Sequence, residues 1–129
     1  MAHTILVVDD MVGTRALLRA LFEGRGCRVL EACDGGAAFA ATLQEMPDLI
    51  VMDVEMPNVE GITAASVFHD LASTAHLPIV IYSGTSEEKV GKMVTLGSRL
   101  KFVHKSADLS QLWSVVSDLL PPQGVPVVA

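Results

Sequence analysis

Five short apolar runs rich in β-branched residues recur along the chain, each followed by a longer stretch with helical spacing. This alternation restricts the fold more than any other feature. The runs cover residues 4–9, 28–32, 49–53, 78–83 and 100–105. Strands that alternate with helices predict βα units winding a parallel sheet, an α/β architecture. The first, third and fourth runs are apolar at consecutive rather than alternate positions, the pattern of central strands covered by helices on both faces. With 50% of the residues hydrophobic and 19% charged, the composition suits a sheet buried in this way.

Between the runs, helices are predicted over 11–25, 35–46, 61–73, 86–97 and 108–120. Asp34 is placed as an N-cap, Thr85-Ser-Glu-Glu88 reads as a capping box, and Asp108 precedes apolar residues at 109, 112, 116 and 119. Gly97 is expected to close the helix over 86–97. One domain over 1–120 accounts for the pattern, and the proline-containing segment 121–129 reads as a tail or the start of a linker.

A net charge of −6 gives no general attraction to nucleic acid or an anionic membrane, so neither is expected as a direct partner. No apolar run reaches the roughly 18 residues of a membrane span, and a cytoplasmic location is expected. Cys27 and Cys33 flank a predicted strand, which separates them by about 20 Å if extended, so they are expected to stay reduced.

In an open parallel sheet, ligands bind beyond the carboxyl ends of the strands. Here the first run ends in Asp9 and Asp10, the third in Asp53, the fourth in Ser83, Gly84 and Thr85, and the fifth in Lys105. Three converging carboxylates repel one another and call for a cation. An oxygen-only donor set selects a hard ion such as Mg²⁺ or Mn²⁺. A carboxylate becomes a competent nucleophile toward phosphorus once the charge on the transferring oxygens is offset, and Asp53 is the best placed. Lys105 would offer a point charge, the Ser83 hydroxyl a hydrogen bond, and Gly84 an open approach.

These residues, in this order, resemble the receiver domain of bacterial two-component response regulators, especially the single-domain chemotaxis type. The resemblance covers about residues 4–120. It rests on Ile5-Leu-Val-Val-Asp-Asp10, on Asp53-Val-Glu-Met-Pro-Asn-Val-Glu-Gly61, on Ser83-Gly84 and on Lys105. It implies a doubly wound, flavodoxin-like sheet of five strands in the order 2-1-3-4-5. It further implies that Asp9, Asp10, Asp53 and the Glu55 carbonyl hold the metal and that Asp53 accepts the phosphoryl group. Ser83 and Phe102 would be the residues that swing inward, and Lys105 the cation of the site. The donor would be a phosphohistidine on a sensor histidine kinase or phosphotransfer protein. The phosphate would change the surface formed by the helix over 86–97, the strand over 100–105 and the helix over 108–120. A partner protein or a further output domain would read that surface. Such a module catalyses only its own phosphorylation and dephosphorylation, and its output is binding.

Ser106 stands where this family generally has proline after a cis peptide. Either a trans peptide with an altered loop or a strained cis bond is expected, since a non-proline cis bond costs about 3 kcal/mol. Glu55 and Thr85 occupy positions that the family uses to tune phosphoryl lifetime.

Taken singly, the features have plainer readings. Asp9-Asp10 is an ordinary turn or cap, Lys105 a solvated strand end, Ser83-Gly84-Thr85 a loop, and Phe102 a packing residue. His104 reads as a surface residue, while His3, His69 and His76 show no spacing signal. Trp113 and Val115 read as core rather than partner surface. Two enzymes and a degenerate receiver compete with the switch. A flavin carrier would need a phosphate-cradling loop after the first strand, where Asp9 and Asp10 stand. A metal-dependent phosphatase would need a second catalytic acid two residues after Asp53, a role the longer Glu55 does not match, and a cap domain, for which the sequence shows no segment. A degenerate receiver would act without phosphate.

Overall fold

The computed structural model describes residues 2–55, 76–93 and 96–121. In chain order the elements are β1 (Thr4–Val8), α1 (Val12–Glu23), β2 (Arg28–Ala32), α2 (Gly35–Gln44), β3 (Leu49–Met52), β4 (Ile79–Ser83), α3 (Glu87–Met93), β5 (Leu100–His104) and α4 (Leu109–Leu119). The five strands form one sheet in the order β2-β1-β3-β4-β5, and every neighbouring pair is parallel. The expected α/β class and strand order are therefore the observed ones.

β3 throughout, β1 after Thr4 and β4 before Ser83 are apolar because both faces of the sheet are covered. On one face Leu6, Val8, Ile50, Met52, Ile79 and Ile81 pack with Ala38 of α2 and Val90 of α3. On the other, Ile5, Val7, Leu49, Val51, Val80 and Tyr82 pack with Leu18 and Phe22 of α1 and Leu112 and Val116 of α4. Edge strand β2 is less covered, exposing Arg28 and Glu31 while burying Val29 and Ala32. Arg15 and Arg19 of α1 both reach Glu31, at 3.1 and 2.7 Å, and fix that helix against the edge. Gly26 takes the turn out of α1 at φ 82°, a left-handed conformation that favours glycine.

Several local expectations need correction. The helix at 87–93 is capped by Ser86, whose Oγ accepts from the Lys89 N–H at 3.3 Å, and not by Thr85. The Thr85 hydroxyl instead donates to the Glu55 carboxylate, 30 positions earlier in the chain. Gly97 lies in the turn leading into β5, where its N–H donates to Leu100 O at 3.0 Å, rather than in a left-handed helix cap. Asp34 does cap α2, accepting from the Ala37 N–H at 2.8 Å. Asp108 sits at the N-cap of α4 without a side-chain bond to it. Trp113 packs near Phe22, with ring centroids 6.3 Å apart and the Arg25 guanidinium 5.3 Å from its ring centre, which agrees with the packing reading. Both cysteines are free, Cys27 buried and Cys33 exposed. The helix predicted over 61–73, the motif residues Met56, Pro57 and Gly61, His69 and the tail 122–129 lie outside the described residues.

Candidate functional site

The sheet ladder continues one step past three strand ends, and this places the site. The Asp9 N–H donates to Ala32 O at 3.1 Å, the Asp53 N–H to Val8 O at 3.0 Å, and the Lys105 N–H to Ser83 O at 2.9 Å. Each of these residues is thus the first beyond its strand, yet its backbone is still held by the neighbouring strand. The polar residue that ends each apolar run in the sequence consequently stands at the carboxyl edge of a rigid sheet.

Asp9 and Asp53 are 2% and 6% exposed, so the sheet holds two acids where solvent cannot screen them. Asp9, Asp10 and Asp53 each bring a carboxylate oxygen within 4.8 Å of the others. The Lys105 ammonium bridges two of them, 2.9 Å from Asp9 Oδ2 and 2.9 Å from Asp53 Oδ2. Local N–H groups take up further lone pairs, Met11 donating to Asp9 Oδ1 at 2.9 Å and Glu55 to Asp53 Oδ1 at 3.1 Å. Burial pushes the Asp9 carboxyl above its ordinary pKa, and the Met11 N–H and Lys105 only partly counter it. Burial also works against the charged form of Lys105, but its bonds to Asp53 and Asp9 outweigh that and hold its pKa above the ordinary value.

Three carboxylates face one ammonium here, an excess of negative charge that a further cation would offset. The donor set is all oxygen, which fits Mg²⁺ or Mn²⁺ rather than a soft metal. The Glu55 main chain follows Asp53 directly into the same region, and its N–H already faces the Asp53 carboxylate.

The β4 end closes the other side of the site. Ser83 is fully buried, and its Oγ accepts from the Thr85 N–H at 3.1 Å. Gly84 is exposed, and even a Cβ there would meet nothing within 4 Å, so the approach over this loop is open. Phe102 is half-buried against the core face that includes Ile81.

No cis peptide occurs among the described residues, so Ser106 follows Lys105 through a trans bond, one of the two alternatives expected. The loop turns by means of the Ala107 N–H, which donates to His104 O at 2.9 Å. Two residues at the site were not legible from the chain. Arg15 donates to the Asp9 carbonyl at 2.7 Å, and His104 contacts both Gly84 O and Ser106. Arg15 carries no local signal, because its other partner, Glu31, is brought to it by the fold. The His-x-Ser spacing at 104–106 is a faint signal for the second.

Residues 5–117 match the family model of the response regulator receiver domain. The chain is 32% identical over 114 residues to the CAI-1 autoinducer sensor kinase/phosphatase CqsS of Vibrio cholerae, a match covering 88% of this chain and 17% of that protein. It therefore spans about a sixth of that relative's length. It is 36% identical over 84 residues to protein PilH of Pseudomonas aeruginosa, covering 65% of this chain and 69% of PilH. Its fold is similar to the crystal structure of response regulator protein TrrA of Thermotoga maritima in complex with Mg(2+)-BeF, with a TM-score of 0.79 and 25% identity over 93% of this chain and 100% of that one.

Proposed function

The chain belongs to the response regulator receiver domain family, and on that premise we propose that it is a phosphorylation-dependent signalling switch with Asp53 as phosphoacceptor. The observation that carries this reading is the Lys105 bridge between Asp9 and Asp53 at the carboxyl edge of the sheet. Lys105 offsets two buried acids from different strands, and the same ammonium is placed to meet an incoming phosphoryl group.

In the proposed step, an Asp53 carboxylate oxygen attacks phosphorus and a P–O bond forms as the P–N bond of a phosphohistidine breaks. The departing imidazole nitrogen keeps the electron pair and takes up a proton. Lys105 neutralises one phosphoryl oxygen, for which it must loosen its hold on the carboxylates. Ser83 offers its hydroxyl after giving up the Thr85 N–H. Mg²⁺ or Mn²⁺, held by Asp9, Asp10, Asp53 and the Glu55 carbonyl, would supply charge compensation for the transferring oxygens. The similarity to TrrA, solved in complex with Mg(2+)-BeF, supports a hard metal at this site.

The donor is a sensor histidine kinase or a phosphotransfer protein, and the output is binding rather than turnover. Inward movement of Ser83 and Phe102 shifts the population of the face formed by α3, β5 and α4, which an effector protein or output domain reads. Intact-mass spectrometry after incubation with acetyl phosphate and Mg²⁺ tests this reading. One phosphoryl adduct that requires the metal and is absent in Asp53→Asn is expected. No adduct from acetyl phosphate or from a phosphohistidine donor would leave a receiver that acts without phosphate.

A further inference from the structure

His104 is bonded at both ring nitrogens, and its partners fix which one carries the proton. Nε2 lies 3.0 Å from the Gly84 carbonyl, which only accepts, so Nε2 bears the hydrogen. Nδ1 lies 3.1 Å from the Ser106 N–H, which only donates, so Nδ1 presents a lone pair. The Ser106 hydroxyl, 2.8 Å from Nδ1, shares that lone pair. The neutral ring with hydrogen on Nε2 is the tautomer that satisfies every partner.

The bridge spans the two loops that bracket the phosphoryl position. Gly84 lies between Ser83 and Thr85 on the β4 side, and Ser106 follows Lys105 on the β5 side. A proline at 106 would have no N–H to give the ring. The Nδ1 half of the bridge therefore depends on a residue other than proline at 106.

We propose that His104 is a positioning residue for phosphoryl transfer, a clasp that joins the Ser83–Thr85 loop to the Lys105–Ser106 turn and so sets where the Lys105 ammonium and the Ser83 hydroxyl stand. This inference rests on the phosphoacceptor reading of Asp53. The ring touches neither carboxylate and takes no part in the chemistry. Its effect is to hold two loops in register that are otherwise tied at the Lys105 N–H to Ser83 O bond.

Three substitutions separate the two ends of the clasp. His104→Asn keeps an acceptor near the Nδ1 position, His104→Gln keeps a donor near the Nε2 position, and His104→Leu keeps bulk and neither bond. The rate of Asp53 phosphorylation by acetyl phosphate with Mg²⁺ is expected to fall roughly fivefold in His104→Leu, the equivalent of one lost hydrogen bond. Asn and Gln are each expected to recover part of it. Independently of phosphorylation, ¹H–¹⁵N correlation of the wild-type imidazole is expected to show the hydrogen on Nε2, and the Ser106 amide to exchange faster in His104→Leu. A hydrogen on Nδ1, or a Leu variant phosphorylated at the wild-type rate, would overturn the proposal while leaving Asp53 as acceptor. Wild type that takes no phosphoryl group from any donor would overturn the phosphoacceptor reading itself, and the role of His104 with it.

Discussion

The Lys105 ammonium stands 2.9 Å from Asp53 Oδ2, across a separation of 52 positions in the chain, and the same nitrogen reaches Asp9. Both acids are almost wholly buried, and Lys105, together with the Met11 and Glu55 N–H groups, offsets their charge. Lys105→Ala should therefore lower the melting temperature of the metal-free protein. The loss is expected at about 2 kcal/mol, below the range for fully buried pairs because the Lys105 side chain is 23% exposed. Phosphorylation should slow by about 10²-fold or more, as for removal of one charge-stabilising donor. Thermal melts in EDTA and single-turnover phosphorylation check the two parts.

Protonation of either group favours the folded chain, Asp9 in the acid range and Lys105 in the alkaline range. The pKa of Asp9 is raised in the folded chain, mainly by burial, so the native state holds that proton longer than the unfolded one. Its contribution to stability therefore falls as pH rises from the unfolded carboxyl value through the folded one. At neutral pH the charged Asp9 is a net cost in the absence of metal. Asp9→Asn should melt above wild type in EDTA at pH 7, and the difference should vanish at a pH below the carboxyl range. Lys105, also raised, stabilises at neutral pH and loses that contribution as pH rises through its folded value.

Asp10 offers a cleaner test of metal binding, because it is exposed. Asp10→Asn should leave the metal-free melting temperature within the change expected of a surface substitution, about 0.5 kcal/mol. Wild type at a Mg²⁺ concentration 100 times the dissociation constant should gain about 2.7 kcal/mol, reversed by EDTA. The variant should gain much less at that concentration. Equal gains would remove Asp10 from the metal site.

On the face covered by α1 and α4, Phe22 is fully buried and packs beside Trp113. Phe22→Ala should cost about 3–5 kcal/mol through lost burial and the cavity left behind. Urea denaturation measures the loss, and a red shift of Trp113 emission in the folded variant would mark water entering its neighbourhood.

The strand ends were legible because a charged residue stops each of the apolar runs at 4–9, 49–53 and 100–105, and a parallel sheet leaves those stops along one edge. Asp34 was legible as a cap because its partner, the Ala37 N–H, is three residues away. The cap of the helix at 87–93 was not, since Thr85 and Ser86 are equivalent by local chemistry. The choice between them is made by Glu55, a neighbour only after β3 and β4 have paired. Arg15 does not stand out in the sequence because its bond to the Asp9 carbonyl, six positions earlier, forms only across the turn between β1 and α1. His104 reads there as a surface residue because the Gly84 carbonyl becomes its neighbour only when β4 and β5 pair. Gly97 misled because a glycine after a helical stretch is a common cap, whereas here its N–H turns the chain into β5.

The most direct test of the central claim locates the phosphoryl group. The chain would be phosphorylated by a phosphohistidine donor with Mg²⁺, reduced with borohydride, which converts an acyl phosphate to an alcohol, and digested for peptide sequencing by mass spectrometry. The account predicts homoserine at position 53, formed far more slowly in Lys105→Ala and lost in EDTA. A phosphoryl group mapped to any other residue, or full modification in EDTA, would contradict it.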